Sequence, residues 1–145
     1  MVPYFSYGSN MDLAQMVERC PGSVVIGRAT LPDHEFRIAA GGYGTVVPSP
    51  GAVVHGILWN LPEEDEAALD VYEDLANGFY RKVARDVRAG GAPQPAMMYV
   101  AADPTPGRSV PGYQEKIVAA AIRHGFPAPY IDQLKAWVPP AQPDR

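Results

Sequence analysis

Ala52-Val53-Val54-His55-Gly56-Ile57-Leu58-Trp59-Asn60-Leu61, followed at once by Pro62-Glu63-Glu64-Asp65, is the stretch that decides the fold class. Both alternating sets of the first ten residues contain apolar side chains: Val54 and Leu58 on one, Val53, Ile57 and Trp59 on the other. A strand of that kind sits inside a sheet and is covered on both faces. The chain then changes period without a linker. Proline at a first helical position and acids in the first turn start a helix, which the pattern carries to about Asp74. Sheet and helix must therefore pack together in one unit.

Working back from this stretch, residues 24–31, 35–40 and 44–47 read as further strands, with turns at Pro32-Asp33, Gly41-Gly42 and Pro48-Ser49-Pro50-Gly51. The segment 40–44 lacks the following helix that a dinucleotide loop needs and reads as a hairpin turn. Residues 2–7, rich in aromatic and β-branched side chains, form a first strand that ends in Gly8-Ser9-Asn10. Residues 11–20 have helical character, with Ser9, Asn10 or Asp12 able to serve as N-cap, and Pro21-Gly22 closes that helix. Working forward, Asn77-Gly78 breaks the chain, 79–88 and 95–101 read as strands around Gly90-Gly91, and helices are expected over 111–124 and 127–138. The sum is an α+β fold: a mixed, partly closed, β-barrel-like sheet of six or seven short strands with two or three helices. It forms a single domain over 1–138, with a disordered tail over 139–145.

Composition bounds the function. At 145 residues the chain is one domain, and 19% charged with 47% hydrophobic residues is a globular composition. A formal net charge of -4 argues against nucleic acid as a partner, and the basic stretch 81–88 is interleaved with apolar residues as a solvated strand face would be. A single cysteine excludes an intramolecular disulfide. No basic segment followed by an apolar one marks the start of the chain, and the longest apolar run, 117–122, is far short of the ~20 residues that span a bilayer. The expectation is a cytoplasmic protein with no membrane partner; oligomeric state is not readable.

Two places could carry chemistry. At Tyr4-Phe5-Ser6-Tyr7-Gly8-Ser9-Asn10-Met11, a strand turning at a glycine into a helix leaves main-chain N–H groups pointing one way. Such a nest binds carboxylates and developing oxyanions; the same residues also make an ordinary turn and cap. It is too short for a P-loop and lacks the lysine. In the helix from Glu63, a 3.6-residue period gathers Ala68, Leu69, Tyr72 and Leu75 on an apolar stripe and Glu63, Glu66, Asp70 and Asp74 opposite, leaving Glu73 at the border. A carboxyl there is either a surface group or a partly desolvated one, poised for proton transfer near neutral pH. Cys20 reads as core. His34, His55 and His124 lack metal spacing, so no metal is expected. Tyr113 shares a helix face with Ile117 and Ala121 and fits a core position as well as a pocket.

Taken together, Tyr7-Gly8-Ser9-Asn10 after an aromatic strand, and Leu69-Asp70-Val71-Tyr72-Glu73 followed by Gly78-Phe79-Tyr80-Arg81-Lys82, resemble the two signatures of the γ-glutamylcyclotransferase-like (AIG2-like) family. Tyr113, then Gly125-Phe126-Pro127 and Tyr130, are similar to its C-terminal part. The resemblance implies a barrel-like α+β fold with one cavity, and an enzyme that releases 5-oxoproline and a free amine from γ-glutamyl amides without cofactor or metal. It makes Glu73 the general acid/base. Tyr7, Gly8, Ser9 and Asn10 hold the γ-glutamyl group, and Tyr80 and Tyr113 line the pocket or bond the ligand. One position departs: the family usually has glycine after the glutamate, and Asp74 stands there. That second carboxylate can perturb Glu73 or reshape the turn, and it keeps open a non-catalytic binding module on the same fold. Hydrolysis or transfer on another acyl amide is a third reading.

Overall fold

The computed structural model describes residues 1–140 and holds five strands and four α-helices. β2 (Val24–Ile38) and β3 (Gly44–Leu61) form one long antiparallel hairpin. β1 (Val2–Ser6) adds antiparallel to β3, with Val2 opposite Leu61 and Ser6 opposite Ile57. β4 (Tyr80–Ala89) and β5 (Ala92–Ala101) make a second hairpin over Gly90 and Gly91, whose φ angles are 60° and 82°. Two positive φ values in a two-residue loop match the twist of the flanking strands. This hairpin is attached on both sides. β4 meets β2 at Thr30 and Arg88, and β5 runs parallel to β1 at Tyr4 and Met97. The sheet closes as a barrel in the order β1-β3-β2-β4-β5.

The strands are fewer and longer than the six or seven expected, for one physical reason. The proline-containing breaks at Pro32-Asp33 and 48–51 lie within strands and are not turns. Asp33 takes a left-handed backbone (φ 58°), the register shifts between Pro32 and His34, and the Asp33 carboxylate accepts the N–H of Gly51 at 2.9 Å. A bulge adds a residue, bends the strand and strengthens its twist. Four expected strands thus become two, and their curl helps the sheet meet itself. Ile57, Leu58 and Trp59 are buried as the two-sided pattern requires, whereas Val53 is 42% exposed, so double coverage holds only for the second half of that segment.

The helices lie outside the barrel, four against an expected two or three. α1 (Leu13–Arg19) follows a 3-10 turn at Ser9–Met11, and among its three candidate caps Asp12 is the one used, accepting the Gln15 N–H at 3.2 Å. α2 (Glu63–Tyr72) carries four acids in its first turn and ends two residues before the expected Asp74. Of its expected apolar stripe only Leu69 is fully buried; Tyr72 is 52% exposed, and the buried Asp65 accepts the Gly22 N–H at 2.8 Å. On its other flank Lys82 donates to Glu66 and Asp70 at 2.7 and 3.0 Å. α2 is pinned by polar contacts at the rim of the barrel, which leaves its C-terminal end over the barrel mouth. α3 (Tyr113–Arg123) and α4 (Ala128–Lys135) pack together, with Ile117 and Leu134 in the common core. No helix among the described residues is long and apolar enough to cross a membrane. Of the tail expected at 139–145, residues 141–145 lie outside the described part.

Because a non-glycine left-handed residue costs about 1 kcal/mol or more unless its side chain tolerates it, Asp33 can be tested alone. Urea unfolding of Asp33→Ala is expected to show a loss of about 1–2 kcal/mol from strain and the lost acceptor. Asp33→Gly loses less, and Asp33→Asn is near neutral.

Candidate active site

Glu73 caps the C-terminal end of α2, its N–H bonded to the Leu69 carbonyl at 2.8 Å. The next residue reverses the chain: Asp74 is left-handed (φ 57°, ψ 45°), and its carboxylate accepts from Asn77 at 2.8 Å. This explains the departure noted at Asp74. The place demands a backbone that glycine adopts freely and aspartate tolerates, and the aspartate carboxylate is spent on the turn that follows. The turn aims Glu73 into a cavity of about 290 Å³ at the barrel mouth, lined by residues of β1, the first loop, β3, β4, β5 and α3.

All seven residues singled out in the sequence line this cavity: Tyr7, Gly8, Ser9, Asn10, Glu73, Tyr80 and Tyr113. The other lining residues, Tyr4, Phe5, Tyr43, Gly44, Tyr72, Phe79 and Tyr99, had no role assigned from the sequence, though Tyr4, Phe5, Tyr72 and Phe79 stand within the motifs quoted above. The available signal was the tyrosine content, since seven of the chain's eight tyrosines stand around the cavity. Cys20, by contrast, is buried core, its Sγ towards the Asp65 carbonyl. No group of His, Cys, Asp or Glu placed to hold a metal occurs among the described residues.

The hydroxyls divide by what they have already bonded. Tyr7 donates to the Tyr99 carbonyl, Tyr80 to the Gly44 carbonyl at 2.5 Å, and Tyr99 to Asp70 at 2.7 Å. Tyr4 and Tyr113 instead accept, from Asn10 Nδ2 and from the Gly44 N–H, each at 3.0 Å. A hydroxyl has one proton, so Tyr4 and Tyr113 keep theirs for a ligand. Burial raises all five phenols well above the ordinary tyrosine range, so all remain protonated. Gly44 holds Tyr80 through its carbonyl and Tyr113 through its amide, and a Cβ there would lie 2.7 Å from the Phe36 ring and 3.2 Å from the Tyr113 hydroxyl. The N–H groups of Gly8, Ser9 and Asn10 have no protein acceptor among the described residues; the turn's bonds come from Met11 and Asp12, to the carbonyls of Gly8 and Ser9.

The Glu73 carboxyl makes no hydrogen bond to a described residue. Burial among aromatic rings pushes its pKa up from 4.5 to about 7, and only Arg19 pulls against that. Arg19 was not foreseen. From the end of α1 its guanidinium donates to Asn10 Oδ1 at 2.5 Å and to the Tyr72 hydroxyl, and it stacks 3.6 Å over the Tyr72 ring. It thereby ties the first loop to the residue before Glu73, and it orients the Asn10 amide so that Nδ2 faces Tyr4.

A family model described as gamma-glutamyl cyclotransferase, AIG2-like, matches residues 4–117. The gamma-glutamylcyclotransferases of Mus musculus and Homo sapiens are 27% and 26% identical, in each case over 94% of this chain and 78% of the relative. A solved structure of a gamma-glutamyl cyclotransferase superposes with a TM-score of 0.88 at 24% identity, covering 99% of this chain and 92% of that one. An uncharacterized human protein gives 0.87 over the same shares. These two likenesses establish the fold.

A carboxyl held above its unfolded pKa gives a stability signature with a definite sign. Below about pH 4.5 Glu73 is protonated in both states and costs nothing. Between 4.5 and 7 the unfolded chain ionises first, so stability falls as pH rises, and above 7 the penalty is constant. Glu73→Gln escapes that penalty. Its stability advantage over the parent, measured by urea unfolding, is expected to grow by roughly 3 kcal/mol across this window and then level off. In an Arg19→Met background the advantage is expected to widen.

Proposed function

The chain belongs to the gamma-glutamyl cyclotransferase, AIG2-like family, whose members act by cyclisation, and from that premise we propose that it cleaves γ-glutamyl amides to 5-oxoproline and a free amine with Glu73 as general acid/base. The observation that carries this reading is the Glu73 carboxyl: half-buried, without a hydrogen bond to any described residue, and the only carboxyl among the described residues of a cavity otherwise lined by aromatic rings and a loop of unpaired main-chain amides.

The chemistry asks for little else. The substrate's own α-nitrogen lies one five-membered ring closure from its γ-carbonyl, so binding it bent supplies proximity. The ionised Glu73 takes a proton from the α-ammonium, and the freed lone pair attacks the γ-carbon. The carbonyl oxygen, now an oxyanion, rests on N–H groups of the Gly8-Ser9-Asn10 turn, with the Tyr4 and Tyr113 protons available to the glutamyl group. Glu73 then gives its proton to the departing nitrogen as the amide C–N bond breaks. The ring nitrogen loses its second proton through the same carboxylate, which leaves a lactam N–H and an amine that departs as ammonium. A pKa near 7 suits a group that must accept and return a proton within one cycle. The reading as a mere binding module rested on Asp74, and the Asp74 carboxylate is engaged with Asn77 and absent from the cavity lining.

Glu73→Gln is the test. The variant is expected to stay folded and to lose 5-oxoproline release from γ-glutamyl amides by about a thousandfold, followed by mass spectrometry. An active Glu73→Gln protein puts the acid/base elsewhere. In the parent, kcat/KM is expected to rise with pH around 7, because the resting carboxyl must be ionised to act as base.

A further inference from the structure

Beside the cavity that holds Glu73 lies a second, of about 320 Å³, and the two share Tyr43, Phe79 and Tyr80 as a common wall. Its remaining lining is small and apolar, the segments 39–41 and 101–102 with Gly78, apart from one rim acid, Asp103. The wall is built for rings. Tyr43 and Phe79 meet edge to face (6.2 Å, 80°), and both are partly exposed at 39% and 43%. Phe79 lies on Gly41, where a Cβ would stand 2.7 Å from its ring, so the glycine makes room for the aromatic.

The charges are as informative as the shape. Among the described residues no lysine, arginine or histidine lines either cavity, and Arg37, which approaches the rim of the second through the Pro104 carbonyl at 3.2 Å, is paired with Glu35. Arg19, whose charge acts on Glu73, stands by Asn10 and Tyr72, residues that line only the first cavity. Asp103 has its carboxylate bonded to the Thr105 N–H at 3.1 Å, which favours its ionised form. An amine bearing a carboxylate would bring an anion to apolar surface beside the Asp103 carboxylate, with no cation among the described lining residues to receive it.

Resting on the cyclisation reading above, we propose that this second cavity receives the departing amine, and that it selects amines with an apolar or aromatic body and no carboxylate over α-amino acids. The amide bond broken and the proton moved are those already described; the second cavity adds affinity for the leaving group where Glu73 needs it to sit. Tyr43 and Phe79 offer an arriving ring the edge-to-face geometry they make with each other.

A matched set of substrates decides the matter: γ-glutamyl derivatives of phenethylamine, of phenylalanine (the same body with a carboxylate) and of methylamine, which is too short to reach past the wall. The expected result is a kcat/KM for the phenethyl compound at least tenfold above both others. Ala102→Trp, placed at an exposed position on the rim, is expected to bring the phenethyl-to-methyl ratio close to one, and Asp103→Lys to narrow the gap to the phenylalanine compound. A phenylalanine derivative cleaved as well as the phenethyl one, or a phenethyl-to-methyl ratio that Ala102→Trp leaves unchanged, overturns the proposal. Should none of the three release 5-oxoproline, the cyclisation reading fails by itself. The cavity assignment is then decided by the thermal stabilisation each compound gives the folded protein: phenethyl first, with its advantage lost in Ala102→Trp, upholds it, and equal ranking overturns it.

Discussion

A half-buried carboxyl group without a hydrogen-bond partner among the described residues is the constraint around which this molecule is arranged. Glu73 would ordinarily be hydrated at the end of an acidic surface helix. Here α2 is anchored at its rim by Asp65 to Gly22 and by Glu66 and Asp70 to Lys82, and the left-handed turn at Asp74 then directs Glu73 inward. The penalty for burying it is met by the rest of the fold. In return the proton affinity of one side chain moves into the range where it can both take and give a proton at neutral pH.

Barrel closure supplies the surroundings. Pairing β5 with β1 at Tyr4 and Met97 brings Tyr99 within edge contact of Tyr4, while Gly44 at the start of β3 gathers Tyr80 from β4 and Tyr113 from α3. Aromatic rings limit water's access to the carboxyl, and the Tyr7, Tyr80 and Tyr99 hydroxyls are spent on main-chain carbonyls and Asp70, whereas Tyr4 and Tyr113 accept and keep their protons. Arg19 is the counterweight. It joins the first loop to α2 and tempers the rise in Glu73's pKa, keeping it near neutrality.

What the sequence disclosed follows from which features are local. The Tyr7 to Asn10 turn was legible because a strand, a glycine and a run of polar residues make their geometry within a few positions. Glu73 was legible as a border residue because helical periodicity places it without knowledge of the partner. The strand count was misread because Pro32-Asp33 and 48–51 have the composition of turns. Only a cross-strand bond from Asp33 to Gly51 turns them into a bulge, and that bond spans 18 positions. Arg19, Tyr43, Phe79 and Tyr99 could not be assigned for the same reason: their roles depend on which strand closes against which, and periodicity carries no information about that. Even Tyr80 is plainer in the fold, where its proton is already given to Gly44 and its part is to shape the wall.

The central claim is that one carboxyl is held near neutrality by its surroundings, before any substrate is present. Carbon-detected NMR of the folded, ligand-free protein, with Glu73 assigned by comparison with Glu73→Gln, measures this without reference to activity. A side-chain carboxyl titrating with a midpoint near 7 is expected. A midpoint at the ordinary glutamate value of about 4.5 would mean that Glu73 is solvated, and the proposed proton transfer would lose its physical basis.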